Sequence, residues 1–210
     1  MKAIIFDVDG TLWDSTDVVA KSWNMAILDH TGTDPNYTGE QLTYLFGKTM
    51  KEIFENVFPE HSPEEQTRLG YICFDYENRL LETEFGTPYE GVVDTIKALS
   101  EKHDLYIVSN CQQGYIEVFL KTMGLNAYIK DHLCFGDTGV SKDQTILQLM
   151  ARNDLTDVVY VGDTMGDYNA CIKAHVPFIL AEYGFGDVSE AVHRIKFFSE
   201  LLEFPYETIV

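Results

Sequence analysis

The chain has 210 residues, with 15 Lys plus Arg against 34 Asp plus Glu and a formal net charge of −19. That length suits one large domain or a core with a small companion, and that charge argues against non-specific DNA or RNA binding. Hydrophobic residues make up 45% and charged residues 23%, which excludes disorder, and no apolar run approaches the ~18 residues a membrane helix needs.

The opening Met1-Lys2-Ala3-Ile4-Ile5-Phe6-Asp7 turns acidic at once, unlike a secretory signal. The cysteines (Cys73, Cys111, Cys134, Cys171) include no Cys-x-x-Cys pair. Reduced thiols and a cytoplasmic location are therefore expected. The histidines show no ligand spacing, so a structural zinc site is not expected.

The first element is a buried strand over Ala3–Phe6, ending at Asp7. Residues 15–31 then read as a helix, with Val19, Trp23 and Ile27 on one stripe. A second helix carries Met50, Ile53, Phe54 and Val57. A third starts at Ser62-Pro63-Glu64-Glu65, a capping box with proline at the first helical position, and its expected stripe is Leu69, Ile72, Cys73, Tyr76 and Leu80. Gly86-Thr87-Pro88 marks the return to the first unit. A helix stripe of Val92, Ile96 and Leu99 precedes a strand over Leu105–Val108. Ile116, Phe119, Leu120 and Met123 follow, then a short strand over Asp131–Phe135, then a helix carrying Ile146, Leu147 and Met150. Strands over Val158–Val161 and Phe178–Leu180 complete the pattern.

Strands alternating with helices predict an α/β fold, a Rossmann-like and mostly parallel sheet flanked by helices. The long gap after Gly10 exceeds what a crossover needs. It predicts an inserted α-helical domain over 14–85, with 1–13 and 86–210 as the core.

In such sheets ligands gather beyond the carboxyl ends of the strands. Asp7-Val8-Asp9-Gly10-Thr11 ends the first strand, and Gly162-Asp163-Thr164-Met165-Gly166-Asp167 ends the strand near 161. Neighbouring residues on an extended strand alternate faces, so the chain must turn at Gly10 for Asp7 and Asp9 to serve one site. Each acidic strand end alone also reads as a solvated end or a helix cap. Two unit charges ~4 Å apart at an effective dielectric near 20 repel with about 4 kcal/mol, so gathering Asp7, Asp9, Asp163 and Asp167 calls for a cation. Mg²⁺ suits oxygen donors and keeps positions open for water and phosphate. Ser109-Asn110 offers an anion cradle before a helix, and Lys142 in Ser141-Lys142-Asp143 offers positive charge.

Taken together, Asp7-x-Asp9-Gly10-Thr11, Ser109-Asn110, Lys142 and Gly162-Asp163-x-x-x-Asp167 resemble the four motifs of the haloacid dehalogenase superfamily. The helical insert, Leu12-x-Asp14-Ser15 and Pro88-Tyr89-Glu90-Gly91-Val92 are similar to its phosphoglycolate phosphatase-like branch. The resemblance implies an Mg²⁺-dependent phosphatase acting on a small phosphorylated metabolite, as a monomer or homodimer. It implies Asp7 as the nucleophile that becomes an aspartyl phosphate, and Asp9 as the acid and then the base. It implies Mg²⁺ held by Asp7, the Asp9 carbonyl and Asp163, with Asp167 supporting the metal waters or Lys142. Thr11, Ser109, Asn110 and Lys142 would bind the phosphoryl group. The insert would read the leaving group through Gly47 and Lys48, with Trp13 on the cavity wall.

The chain departs from many relatives in following Lys142 with Asp143-Gln144 rather than a proline-rich stretch. Lys130 precedes its strand, at the wrong end of the sheet, and Gly136-Asp137-Thr138 has no second spaced acid. A β-phosphoglucomutase-like phosphomutase shares these motifs and is the alternative reading. A phosphonoacetaldehyde hydrolase-like enzyme would use Lys48 as a Schiff base, but Asp9 stands where that family lacks an acid. A receiver-like module lacks a large insert, and a dehalogenase has no need of Asp9 as a proton donor.

Overall fold

The apolar runs do form strands, each at full burial where two helical layers cover it. In the computed structural model, which describes residues 2–209, the chain runs β1 (Ala3–Phe6), β2 (Trp13–Asp14), α1 (Thr16–Thr31), α2 (Gly39–Leu42), α3 (Met50–Val57), α4 (Pro63–Leu81) and β3 (Thr87–Pro88). It continues through α5 (Val92–Leu99), β4 (Leu105–Ser109), α6 (Tyr115–Met123), β5 (Asp131–Cys134), α7 (Phe135–Thr138), α8 (Lys142–Arg152), β6 (Val158–Gly162), α9 (Met165–Ala174), β7 (Phe178–Ala181) and β8 (His193–Ile195). The expected strands end one residue later at Ser109, Gly162 and Ala181, and one earlier at Cys134.

The main sheet has the order β5-β4-β1-β6-β7-β8, and every described pairing in it is parallel. Because β1 lies between β4 and β6, the ends of these three strands lie side by side. Alternation along β1 sends Ile4 and Phe6 to one face and Ile5 to the other. Ile4 and Phe6 pack with Val92, Ile96, Ile116 and Phe119 from α5 and α6. Ile5 packs with Ile146 and Leu149 from α8 and Cys171 from α9. Leu147, expected on that stripe, is instead 39% exposed, and Leu149 takes its place.

Residues from α1, α3 and α4 bury a cluster of their own, including Val19, Trp23, Ile27, Phe54, Leu69, Cys73 and Phe74. The two chain crossings into and out of this helical segment pair as a small antiparallel ribbon, Trp13 with Pro88 and Asp14 with Thr87. Leu81 and Trp13 belong to the cluster under the sheet.

Two expectations about α4 are corrected. Only half of the capping box forms: Ser62 accepts from the Glu65 amide, but the Glu65 carboxylate turns to Arg68. The buried stripe is Leu69, Cys73, Phe74, Glu77 and Leu81, rotated from the expected one. Tyr76 lies half-buried at the edge of that cluster, where its hydroxyl donates to Asp29 at 2.9 Å. An acid therefore occupies the buried face.

Candidate active site

Gly10 makes the turn that lets Asp7 and Asp9 share a site. Its φ is +77°, and a Cβ there would lie 2.0 Å from Asp163 Oδ2, so only glycine permits both the turn and the approach of β6. Asp7, Asp163 and Asp167 are all buried, and each offers a carboxylate oxygen within 4.8 Å of the others. Lys142 is buried beside them, its Nζ 2.5 Å from Asp167 Oδ1 and 3.1 Å from Asp7 Oδ1. The ammonium lies outside hydrogen-bond geometry to Asp7, so that Oδ1 is buried without a hydrogen bond.

The electrostatics follow from this crowding. Burial pushes the Asp7 carboxyl up to about 7; Lys142 opposes the rise, and Asp167 and Asp9 add to it. Burial, then the charges of Asp167 and Asp7, hold Asp163 well above the usual carboxylate range. Asp167 also suffers burial, but Lys142 and the Thr164 hydrogen bonds outweigh it and hold it low. Lys142 is raised: burial acts against its charge, and Asp167 and Asp7 more than compensate.

With all four ionised, the group carries a formal charge of −2, three carboxylates less one ammonium. An all-oxygen donor set with that deficit fits a divalent cation of the Mg²⁺ type. The Asp7 Oδ1 without a hydrogen bond and the destabilised Asp163 are the groups such an ion would relieve. Asp167 is already occupied: Oδ1 holds Lys142 and Oδ2 accepts from the Asp163 and Thr164 amides and the Thr164 hydroxyl.

Asp9 stands apart from this network. Its Oδ1 accepts from Tyr115 at 2.5 Å, Ser15 at 2.8 Å and Trp13 Nε1 at 3.1 Å. Its Oδ2 takes none of these bonds. Burial pushes Asp9 up to about 6, against the pull of Tyr115, Ser15 and Trp13. A carboxyl held by one oxygen, with the other free and a pKa near neutrality, is suited to proton transfer in both directions.

Asp7 and Asp9 line a cavity of about 60 Å³ with Ser109 and Asn110 from the end of β4, and with Trp23, Gly47, Lys48, Phe74 and Glu77. At 10–15 Å³ per water, that is room for roughly four to six water-sized groups. Gly47 (φ +81°) turns within van der Waals reach of Thr164. The Asn110 side chain donates to the Gly47 carbonyl at 2.9 Å, and Phe46 packs on Phe185 with ring centroids 5.3 Å apart. These contacts hold the helical segment shut over the sheet edge.

Two expected site residues have other work. Trp13 does not line the cavity: it is fully buried beneath it, and its indole positions Asp9. Thr11 is also fully buried; its amide goes to Val8 O at 3.2 Å and its hydroxyl to Asp163 Oδ1 at 3.3 Å. Lys130 lies away from the site, 3.5 Å from Asp104, and Asp137 caps the end of β5 by accepting from the Cys134 amide.

Four residues that sequence reasoning missed shape the cavity: Trp23, Glu77, Gln112 and Tyr115. Glu77 had a signal, since an acid three residues after Phe74 and four before Leu81 falls on an apolar stripe. Gln112 and Tyr115 gave none, because their partners are distant in sequence.

The haloacid dehalogenase-like hydrolase family model matches residues 4–181. A phosphoglycolate phosphatase from Agrobacterium fabrum is 28% identical over 193 residues, covering 88% of this chain and 82% of its own length. The pyrophosphatase PpaX from Anoxybacillus flavithermus is 27% identical over 175 residues, covering 80% and 77%. A solved haloacid dehalogenase-like family hydrolase from Streptococcus pneumoniae superposes with a TM-score of 0.81 at 17% identity, covering 97% of each chain, which shows the shared fold. The chain belongs to the haloacid dehalogenase-like hydrolase family.

Proposed function

We propose that the protein is an Mg²⁺-dependent phosphatase for a small phosphomonoester, about the size of phosphoglycolate. The convergence of Asp163, Asp167 and Lys142 on Asp7, which lines the cavity, carries this reading. The relatives named phosphoglycolate phosphatase and pyrophosphatase support a small phosphorylated substrate.

Asp7 attacks phosphorus, and the bond to the leaving oxygen breaks as the aspartyl phosphate forms. Asp9 Oδ2 gives its proton to the leaving alkoxide. The Asp9 carboxylate then takes a proton from water, whose oxygen attacks phosphorus and releases inorganic phosphate and Asp7. Tyr115, Ser15 and Trp13 fix Asp9 for both transfers. Lys142 and Ser109 hold the phosphoryl oxygens, and Asp167 holds Lys142. Asp7 and Asp163 would hold Mg²⁺, which when bound would supply charge neutralisation for phosphoryl transfer.

Residues 14–85 form a cap that excludes water and reads the leaving group. Their separate apolar cluster and the ribbon at the crossings support that division. Among the described residues no helix is long and apolar enough to cross a membrane. The test is phosphate release from a panel of small phosphomonoesters with Mg²⁺. Release that stops on chelation is expected; no release from any member overturns the reading.

A further inference from the structure

We propose that the cap end of the cavity is an ammonium subsite, and that the substrate is the phosphate ester of a short amino alcohol. This rests on the phosphatase reading above. Glu77 is 4% exposed and faces the cavity from α4. Its Oε2 accepts from Trp23 Nε1 at 2.7 Å and its Oε1 from Gln112 Nε2 at 2.9 Å. Gln112 is fixed in turn, since its amide also donates to Asn78 Oδ1 at 2.9 Å. These neutral donors hold the carboxyl group in place but bring no positive charge to its ionised form. Among the described residues, no Lys, Arg or His forms an ion pair with Glu77.

A buried carboxylate without a cation is an unfavourable arrangement unless something else supplies the charge. A ligand entering this cavity can do so. The neighbouring walls agree, because Trp23, Phe74 and Tyr115 also line the cavity and aromatic rings attract cations. Burial pushes Glu77 up to about 8, against the pull of Gln112 and Trp23. An ammonium alongside would restore its ionised form.

Lys48, half-buried on the cavity wall, is the cation that favours the opposite charge. Its field reaches Glu52, just outside on α3, which offsets part of its charge. Tyr115 donates to Asp9 and lines the same cavity as Glu77, so the phosphate end and the cap end open onto one space. A short spacer between ester oxygen and nitrogen would span one cavity that Asp7, Asp9 and Glu77 all line. A carboxylate or a second phosphate at the same place would keep Glu77 protonated and gain no opposite charge from it.

Three esters of matched chain length test this: 2-aminoethyl phosphate, 2-hydroxyethyl phosphate and carboxymethyl phosphate (phosphoglycolate), assayed with Mg²⁺. The expected order of kcat/KM is amino, then hydroxy, then carboxy, with at least tenfold between first and last. Glu77→Gln should reduce the amino-to-carboxy ratio at least tenfold. A carboxymethyl ester that equals or exceeds the aminoethyl ester in the wild-type enzyme overturns the ammonium subsite and leaves the phosphatase reading standing. If none of the three is hydrolysed while other small phosphomonoesters are, this inference fails and the phosphatase reading stands; if no phosphomonoester is hydrolysed, both fail. An unchanged ratio in a folded Glu77→Gln protein also overturns the ammonium subsite. If that variant does not melt cooperatively, the wild-type order decides.

Discussion

The cavity has acids at both ends, but their surroundings differ. At the sheet edge, Asp7, Asp163 and Asp167 share one buried space with Lys142. At the cap end, Glu77 meets only neutral donors from Trp23 and Gln112. The first arrangement is a network in which every charge alters its neighbours. The second is one buried carboxyl group held by two hydrogen bonds. Mutations should therefore split differently between activity and stability at the two ends.

Asp7→Asn gives the largest expected effect. Loss of a covalent nucleophile lowers turnover by at least about 10⁴-fold. Stability without metal should hold or rise, because one of three crowded carboxylates is gone while Asp167 still pairs Lys142. Phosphate release and a thermal melt together check this. Near-wild-type turnover would remove Asp7 from its assigned role. Chelation should match the activity loss and be reversed by Mg²⁺, with Ca²⁺ a poor substitute because its looser coordination misplaces the attacking oxygen.

Lys142→Ala breaks the same network from the other side. Turnover should fall by about 10²–10³-fold, and the metal-free protein should lose about 3–5 kcal/mol, the typical result of removing one partner of a buried ion pair. Urea denaturation in chelator measures it. If Lys142→Ala and Asp7→Asn changed stability in the same direction, the charge account of the sheet edge would fail.

The same contrast governs what the sequence revealed. Asp7, Asp9, Ser109 and Asp163 were legible because each lies at or just past the end of an apolar strand run, and a parallel sheet brings such ends together. Lys142 was legible by its place at the start of a helix. Trp13 and Thr11 were placed in the right neighbourhood but given the wrong task. Short sequence distance cannot tell a side chain that faces the cavity from one that supports it from below. At the cap end, Trp23, Glu77 and Gln112 come from three segments, and only tertiary packing brings them together. The stripe on α4 was read about one helical position out, which hid the acid on its buried face.

At the cap end the pH dependence of stability isolates one group. Glu77 moves from an ordinary value of 4.5 up to about 8 on burial. The folded state then keeps a proton that the unfolded chain has released. Its contribution is most favourable below about pH 4.5 and is lost as pH rises toward 8. Gln does not titrate. The stability of wild type relative to Glu77→Gln should therefore fall by about 2 kcal/mol between roughly pH 6 and pH 8.5. Parallel stability curves would mean that Glu77 ionises as freely in the folded state as in water.

The smallest effect belongs to the contact that joins the two ends. Asn110 follows Ser109 and was expected to offer its backbone amide to the phosphate, while its side-chain amide donates to the Gly47 carbonyl on the cap at 2.9 Å. A neutral hydrogen bond contributes about 1 kcal/mol net, which is about fivefold in an equilibrium. Asn110→Ala should therefore lower kcat/KM about fivefold by weakening closure of the cap. The loss should appear for all small esters alike, because no leaving-group contact is removed. A loss near 10²-fold would instead assign the Asn110 side chain to the transferring phosphoryl group, with the bond to Gly47 exchanged for one to substrate.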